Sequence, residues 1–493
     1  MRRLIGIVCI GLAVAFVPAA GALTQQQKLT APDGFTSDNF GWSVAISGDT
    51  AIVGAPFDDV GANANQGSAY VFVRSGGVWT LQVKLVAANG DADDSFGNSV
   101  AIDGDTAVVG APDDEVGANH LQGTAYVFVR SGTTWTQQAQ LIANNGDAND
   151  RFGAAVAIDG DTALVGAPRD EVGANFFQGT AYVFTRSGTT WTQQAQLIQS
   201  NGDAGDQFGA AVAIDGDTAV VGAPDDEVGA NTFQGTAYVF VRSGPVWSEQ
   251  AQLAANNGDA GDLFGAAVAV SGDTALAGAA NDEVGANADQ GTAYVFVRSG
   301  SFWIQQAQLI QRNGAGGDRF GSSVALQADT ALLGAPYRNS SIGSAYVFSR
   351  SGSSWTEQQN VFAPDGGVGD YFGSVVALDA GTAVVGAPAQ NISYIDQGSA
   401  YVFASPPTAL AATALSARRS RAGVVLRWRG ADPTVLGYRV YRGRMLLTPR
   451  LVTRTRTGTY RYVDRSAPHG SVRYRVQAVR TDGSTTWAGS ART

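Results

Sequence analysis

The sequence predicts an all-β protein in which a seven-bladed β-propeller is followed by a small β-sandwich. Three observations lead to this prediction: a repeat of fixed length, four strand patterns in each repeat, and a strand that is missing from the last repeat but present at the N-terminus. The dipeptide Phe-Gly marks the repeat, and its first six copies lie 56 residues apart, a spacing typical of repeat architectures. The copies begin at Phe40, Phe96, Phe152, Phe208, Phe264, Phe320 and Phe372.

One repeat, residues 151–200, contains four runs with strand character and no apolar stripe at helical spacing. Turn-forming Gly, Asp and Ser residues separate the runs, which predicts an antiparallel meander. Repeated four-stranded units of this kind are typical of β-propellers. The four runs are Phe152–Ile158, Thr162–Pro168, Gly179–Arg186 and Trp191–Ile198.

The two ends of the repeat region predict a closed ring. The seventh repeat stops after Phe403 and lacks a fourth strand, whereas residues 23–29, LTQQQKL, match WTQQAQL at residues 191–197. We therefore expect residues 23–403 to form the propeller, with the N-terminal segment as the outermost strand of the last blade. Closure also removes the free sheet edges on which other chains could pair.

The repeat resembles the FG-GAP repeat of integrin α-subunit propellers and of bacterial secreted FG-GAP proteins. Its Gly-Ala-Pro half recurs at Gly54, Gly110, Gly166, Gly222, Gly334 and Gly386, and the fifth copy reads Gly278-Ala279-Ala280. The resemblance implies a propeller whose ligands bind the face formed by the loops between strands 2 and 3 and between strand 4 and the next blade. Integrin blades bind calcium through a longer acidic loop between FG and GAP. Only Asp159-Gly160-Asp161 occupies that connection here, so we do not carry that calcium site over.

The N-terminal segment, residues 1–22, has the pattern of a secretory signal peptide. Arg2 and Arg3 precede an apolar run over residues 4–17, and Ala20-Gly21-Ala22 provides a small-residue cleavage site. We expect a protein that is secreted or held at the cell surface, with no membrane span in the mature chain. The only cysteine, Cys9, lies within this segment, so the mature chain is expected to contain no disulfide.

The C-terminal part differs from the propeller in pattern and in charge. Residues 404–413 read as a linker, and residues 414–493 resemble a fibronectin type III domain, with Trp428 as the core tryptophan and Tyr474 as the corner tyrosine. Residues 23–403 carry a net charge of −27, whereas residues 404–493 carry +14. Such an asymmetry indicates something about partners rather than about the fold.

Catalysis is not expected from the residue types present. The chain has two histidines, one in each part, which argues against a Ser-His-Asp triad and against a histidine metal site. Hydrolysis by a pair of carboxyl groups needs no histidine, so an extracellular propeller enzyme that acts on polysaccharide is the alternative. The main prediction is a recognition or scaffold protein, a monomer that binds an extracellular protein or glycan through its acidic face.

Acidic loops recur on that face and have two interpretations. The aspartate two residues before each Phe-Gly either fixes its own turn or, with a second aspartate three residues earlier, binds calcium, which prefers oxygen ligands. The candidate metal pairs are Asp91 and Asp94, Asp147 and Asp150, Asp203 and Asp206, and Asp259 and Asp262. The ligand-face candidates in the loop between strands 2 and 3 are Asp114, Glu115, Asp170, Glu171, Asp226, Glu227, Asp282 and Glu283.

The second candidate site is a basic face on the C-terminal domain. Arginines flank the aromatic residues Trp428 and Tyr474, so strand alternation places the arginines outward and the rings inward. Such a face could bind an anionic glycan, lipopolysaccharide or nucleic acid, or it could dock on the acidic propeller. The candidates are Arg427, Arg429, Arg473 and Arg475.

Overall fold

The computed structural model describes residues 22–404 and, in the C-terminal part, 413–420, 423–429, 435–442, 445–448, 450–452, 459–468, 472–480 and 485–492. The chain divides into two compact units, Met1–Ala404 and Ser405–Thr493. The predicted signal peptide, apart from residue 22, and residues 405–412 of the predicted linker lie outside the described residues. No helix in the described part of the chain is long and apolar enough to cross a membrane.

The first unit is a ring of seven four-stranded antiparallel sheets, the last of which includes the N-terminal strand β1 (Thr24–Leu29). Blade 1 comprises β2 (Ser43–Ser47), β3 (Thr50–Ala55), β4 (Ser68–Ser75) and β5 (Val78–Leu85). Blade 2 comprises β6 (Ser99–Asp103), β7 (Thr106–Ala111), β8 (Thr124–Ser131) and β9 (Thr134–Leu141). Blade 3 comprises β10 (Ala155–Asp159), β11 (Thr162–Ala167), β12 (Thr180–Ser187) and β13 (Thr190–Leu197). Blade 4 comprises β14 (Ala211–Asp215), β15 (Thr218–Ala223), β16 (Thr236–Ser243) and β17 (Val246–Leu253).

The remaining blades repeat the pattern with two local differences. Blade 5 comprises β18 (Phe264–Ser271), β19 (Thr274–Ala279), β20 (Thr292–Ser299) and β21 (Phe302–Leu309). Blade 6 comprises β22 (Ser323–Gln327), β23 (Thr330–Ala335), β24 (Ser344–Ser351) and β25 (Ser354–Val361), with the one-turn helix α1 (Arg338–Ser341) before its third strand. Blade 7 comprises β26 (Val376–Asp379), β27 (Thr382–Ala387) and β28 (Ser399–Ala404), and β1 is its fourth strand. The predicted all-β, seven-bladed architecture is confirmed.

The N-terminal segment with the sequence LTQQQKL closes the ring, as its match to the fourth strands predicts. Strand β1 pairs antiparallel with β28, from Thr24 opposite Ala404 to Leu29 opposite Ala400. The side chain of Gln27 also bonds to the backbone of Trp79 in blade 1, accepting from its N–H at 2.9 Å and donating to its carbonyl at 2.7 Å. The N-terminal strand therefore completes blade 7 and fastens it to blade 1.

The two glycine motifs recur together because they touch each other across the blade boundary. A Cβ on Gly110 of one Gly-Ala-Pro would lie 2.0 Å from the carbonyl oxygen of Gly153 in the next Phe-Gly. Gly153 itself has φ +91°, a left-handed conformation in which any side chain would be strained. The same approach closes the ring, where a Cβ on Gly386 would lie 2.1 Å from the carbonyl oxygen of Gly41. No larger residue fits at these contacts.

The core lies within and between the blades. Each motif phenylalanine is fully buried and packs against a buried tyrosine of the third strand of its own blade, with ring centroids 5.4–5.7 Å apart. The second strands are buried along almost their whole length, as strands inside a stack of sheets should be. The hydrophobic clusters span adjacent blades, so neighbouring sheets share one continuous core.

Repeated arginines link neighbouring blades at the end opposite the Phe-Gly turns. Arg186 donates to Asp161 of the Asp-Gly-Asp turn at 2.6 Å and to the Thr106 hydroxyl of the preceding blade at 2.9 Å. Its guanidinium lies over the ring of Trp191 at 5.2 Å. Asp161 is therefore held by an arginine. Equivalent arginines occur in six blades, at Arg74, Arg130, Arg186, Arg242, Arg298 and Arg350.

The second unit contains two antiparallel sheets that share one hydrophobic core around Trp428, Tyr438, Tyr460 and Tyr474. Its strands are β29 (Thr413–Ser420), β30 (Gly423–Arg429), β31 (Val435–Arg442), β32 (Met445–Leu446), β33 (Thr459–Asp464), β34 (Arg473–Arg480) and β35 (Thr485–Arg492). One sheet has the order β29-β30-β33, and the other has the order β32-β31-β34-β35.

Candidate functional site

The upper face of the propeller, as we name it, carries the loops between strands 2 and 3 of each blade and the loops that lead from each fourth strand to the next blade. Hydrogen bonds join the two sets. The Asn119 side chain donates to the Gln122 side chain at 2.9 Å within one loop and to the Gly146 carbonyl at 3.2 Å in the other. The two sets therefore form one surface, as the sequence analysis expects.

The aspartate that precedes each Phe-Gly, called here a turn aspartate, accepts a hydrogen bond from the backbone N–H three residues earlier. The bond is present in all seven blades, at 2.5–2.9 Å. Every turn aspartate is also buried. The turn-fixing interpretation is confirmed for these residues: Asp38, Asp94, Asp150, Asp206, Asp262, Asp318 and Asp370.

Burial makes the charged form of several turn aspartates unfavourable. It raises the pKa of Asp94 and Asp150 to about 7, against the accepted backbone hydrogen bond, and nearby carboxylates raise it further. Asp206 and Asp262 follow the same pattern, with a pKa of about 6. These carboxyl groups therefore change their protonation state between about pH 6 and pH 7.

Four of the predicted ligand-face residues belong to the interior of the blades, which corrects the sequence analysis. Asp114 is only 4% exposed and accepts hydrogen bonds from the Thr124 hydroxyl at 2.6 Å and the Tyr126 hydroxyl at 2.7 Å. A carboxylate used in this way has no free surface for a ligand, and it satisfies two buried hydroxyls of its own third strand. The same correction applies to Asp170, Asp226 and Asp282.

The glutamates next to them are exposed and remain on the upper face, at Glu115, Glu171, Glu227 and Glu283. The other members of the metal pairs, called here the rim aspartates, are exposed as well, at Asp91, Asp147, Asp203 and Asp259. In blade 4 such residues line a pocket of about 200 Å³ beside Thr232 and Phe233. Within the described residues, no three His, Cys, Asp or Glu side chains are grouped closely enough to hold one metal ion. Calcium binding by the pairs stays a prediction.

The repeat varies at three positions around the motifs, and in blades 6 and 7 the structure brings all three to the lining of a central channel. They are the residue before Phe-Gly, the residue after Phe-Gly, and the residue after Gly-Ala-Pro. The first has a left-handed backbone in every blade, although none of its occupants is glycine. Its occupants are Asn39, Ser95, Arg151, Gln207, Leu263, Arg319 and Tyr371.

The channel has a volume of about 930 Å³, and its walls differ between the two halves of the ring. Blades 3, 4 and 5 contribute pairs of alanines, such as Ala210 and Ala211. The other blades contribute hydroxyl and amide side chains, namely Ser43, Asn98, Ser99, Ser322, Ser323 and Ser374. The channel wall is therefore lined by small apolar side chains at blades 3, 4 and 5, and it can form hydrogen bonds at the other blades.

Aromatic rings and one arginine gather on the polar side of the mouth, where blades 6, 7 and 1 meet. Tyr337 and Tyr371 lie 5.3 Å apart, and the guanidinium of Arg319 lies 4.8 Å from the Tyr337 ring. Trp42 of blade 1 packs against Phe57 at 5.6 Å. Trp42 is 42% exposed and Tyr337 is 40% exposed, unusually high values for rings of this size. We call these five residues the mouth arc.

Blades 6 and 7 also depart from the internal pattern. The position of Asp114 is occupied by Arg338 in blade 6, and this arginine pairs with the turn aspartate Asp318 at 2.7 Å. In blade 7 the position is Gln390, whose side-chain oxygen accepts from the Tyr401 hydroxyl at 2.8 Å. The interior of these two blades therefore lacks the buried aspartate, and blade 6 has an ion pair in its place.

The outer loops of the same sector are apolar. Phe35 and Tyr394 pack together at 4.5 Å, and they are 57% and 43% exposed. Ile395 and Val368 are more exposed still, at 66% and 74%. Exposed apolar patches of this kind commonly mark interaction sites. Neither this patch nor the mouth arc is predicted from the sequence, although the residues around Phe-Gly and in the blade 7 loop depart from the repeat at both places.

The predicted basic residues of the second unit do not form one strip. Arg427 is exposed on β30, whereas Arg473 and Arg475 lie on β34 in the other sheet. Because both sheets direct their apolar residues into the shared core, their outer faces point in opposite directions. The expectation of a single basic face is therefore wrong. The Arg429 side chain lies outside the described residues.

Comparison with known families agrees with this geometry. The FG-GAP repeat family matches seven segments that together cover more than half of the chain. The chain belongs to the FG-GAP repeat family. The matched segments are residues 23–72, 79–128, 135–184, 191–240, 247–296, 303–348 and 355–403, so the fourth strand of one blade begins each FG-GAP match. Comparison with curated proteins gives no match.

Proposed function

We propose that the protein is a secreted or surface-held recognition module that binds an extracellular protein or glycan through the upper face of its propeller. The observation that carries the proposal is the sector of blades 6, 7 and 1. There blades 6 and 7 lack the repeated Asp-Glu of the loop between strands 2 and 3, exposed aromatic and aliphatic side chains occupy the upper face, and the partly exposed Arg319 lies at a channel of about 930 Å³. A concave site with apolar walls and a few polar groups is the usual form of a binding pocket.

Recognition without catalysis is part of the proposal. A polysaccharide hydrolase needs two carboxyl groups placed at the scissile bond, whereas alanine, serine, asparagine and aromatic side chains make up most of the described channel lining. Incubation with extracellular polysaccharides should release no reducing ends. A release that stops when one channel-facing residue is changed would favour the hydrolase instead.

The second unit is a fibronectin type III-like module in this proposal. Trp428 and Tyr474 are buried in its core, as the resemblance implies. On the β29-β30-β33 sheet, Arg427 lies directly opposite Arg461 in the strand register, and both side chains are exposed. Two adjacent cations suit an anionic polymer, such as an acidic glycan, as a second partner.

An array of glycans and extracellular matrix proteins, run with and without calcium, tests the proposal. The full chain should bind at least one component, and Ile395→Glu should weaken that binding because it places a charge in the exposed patch of blade 7. Phe302→Glu is the matched control, since Phe302 is 72% exposed on β21 beside the turn at the opposite end of its blade. Binding that is insensitive to Ile395→Glu but lost with Phe302→Glu would assign the function to the other face.

A further inference from the structure

We infer that the mouth arc is the subsite for a carboxylated sugar, so that the propeller binds the end of a glycan that contains uronic acid. The inference rests on the proposed function and names the ligand class for the upper face. Three features of the channel mouth support it: ring faces for stacking, a cation for the carboxylate, and a polar wall for hydroxyl groups.

The rings supply flat apolar surfaces of the size of a pyranose ring. Trp42 and Tyr337 both line the channel and are both about two-fifths exposed. A sugar ring has C–H groups on its faces and hydroxyl groups around its edge. It can therefore cover an aromatic face while its edge stays hydrogen-bonded, whereas a wholly apolar ligand would leave the polar wall unused.

Arg319 supplies the charge. Its guanidinium lies over Tyr337 and forms no ion pair with a carboxylate among the described residues. The guanidinium is planar and matches a carboxylate with two parallel hydrogen bonds. The neighbouring cation Arg338 is engaged with Asp318, so Arg319 is the arginine that the mouth offers to a ligand.

The polar wall continues the site into the channel. Ser322 and Ser374 donate their hydroxyl hydrogens to backbone carbonyls at 2.7 Å, which leaves their oxygens directed for accepting from sugar hydroxyls. Asn98 and Ser99 extend this wall into blade 2, and the opposite wall is alanine. A ligand with one polar edge and one apolar face fits both walls at once.

Calorimetric titration of the full chain tests the inference. The probes are hexamers of galacturonate, mannuronate and hyaluronan, together with the galacturonate hexamer in which the carboxylates are methyl-esterified. We expect at least one acidic hexamer to bind, and Arg319→Gln to weaken its binding about tenfold or more, because a charge-assisted pair is lost. The esterified hexamer should bind weakly to both proteins, and Arg319→Gln should change its affinity little.

Matched variants separate the site from general effects. Tyr337→Ala should weaken binding of the acid, whereas Leu263→Ala and Asn281→Ala, at the equivalent positions of blade 5, should not. The melting temperatures of these variants should stay close to that of the parent, because none of the side chains they remove is fully buried.

Three results would overturn the inference: no binding of any acidic hexamer, equal binding of the acid and its ester, or unchanged binding in Arg319→Gln. Its failure can be distinguished from failure of the proposed function. If the array yields a ligand that Ile395→Glu weakens while the hexamers fail, recognition by the upper face stands and only the sugar assignment falls. If the array yields no ligand, the proposed function falls as well.

Discussion

Removal of the N-terminal strand should open the ring between blades 7 and 1. A chain that starts at Asp33 lacks β1, its ladder with β28, the buried side chains of Leu23 and Leu29, and the bonds between Gln27 and Trp79. About four ladder bonds at ~1 kcal/mol each contribute ~4 kcal/mol to the free energy of unfolding. Burial of the two leucines adds roughly 4 kcal/mol.

Ordering of the strand offsets part of this gain. Fixing the backbone costs about 1 kcal/mol for each residue of β1, so the net contribution of the strand is a few kcal/mol. We expect the truncated protein to melt roughly 5 °C or more below the chain that starts at Leu23. Differential scanning calorimetry measures the shift, and a synthetic peptide of residues 23–32 added in trans should restore part of it.

Point variants keep the test informative if the truncated chain does not fold. Leu29→Ala removes a side chain that is 1% exposed and should cost about 2–5 kcal/mol. Gln26→Ala is the matched control on the same strand, because its exposed side chain bonds, among the described residues, only to Thr24. Equal melting temperatures for the chains that start at Leu23 and Asp33 would refute closure by this strand.

Three further predictions concern protons, calcium and the motif glycines. Asp94 and Asp150 have a folded-state pKa of about 7, above the ordinary value of 3.8, so their contribution to stability is complete below pH 4 and is lost as the pH rises through 7. The melting temperature should therefore be several degrees higher at pH 5.5 than at pH 8, and an Asp→Asn change at both sites should reduce that difference. Calcium in the millimolar range should raise the melting temperature if the metal pairs bind it, and Asp→Asn changes at all four rim aspartates should abolish the rise; an unchanged melting temperature in calcium and in chelator would leave only the turn role. Gly222→Ala should lower the free energy of unfolding by roughly 3 kcal/mol or more, because its Cβ would lie 1.9 Å from the Gly265 carbonyl oxygen. Gly216→Ala has nothing within 4 Å and should lower it by only about 1 kcal/mol, for its φ of +60°. Similar unfolding free energies for the two variants would contradict the packing argument.

The fold could be predicted from the sequence because its main determinants repeat. Phe152, Gly153 and Gly166 each have six counterparts, and the contact between the two glycine motifs forces a fixed register between neighbouring blades. The position of the N-terminal strand could also be predicted, since its residue pattern matches the fourth strands of the remaining blades. These are local patterns whose physical meaning does not depend on distant residues.

The burial of Asp114 could not be predicted in the same way. Its neighbours in the sequence are polar and acidic, which is typical of an exposed loop. Its environment is set by Thr124 and Tyr126 on the third strand, whose hydroxyls point back to the carboxylate. The Tyr recurs in every blade and the Asp in blades 1 to 5, but only the folded structure shows that they bond to each other.

The mouth arc depends on ring closure as well as on the repeat. Trp42 and Tyr337 are far apart in the sequence, and they approach one channel because blade 7 joins blade 1. A search for sequence periodicity identifies residues that recur, such as those of the acidic loops, and does not identify residues that differ between the repeats. The difference at the mouth is the feature that a single ligand can recognise.

Symmetry also bears on stoichiometry. The repeated acidic loops of blades 2 to 5 would give a small ligand several equal sites on the upper face, whereas the mouth arc occurs once, where Arg319, Tyr337, Tyr371 and Trp42 surround a single channel. The change reaches into the blades: Arg338 replaces the buried aspartate in blade 6 and is neutralised by Asp318, so the surface and the interior of this sector are altered together. A ligand that binds the mouth arc should therefore bind with a stoichiometry of one per chain. A larger number of equal sites would instead point to the repeated glutamates and rim aspartates as the binding groups.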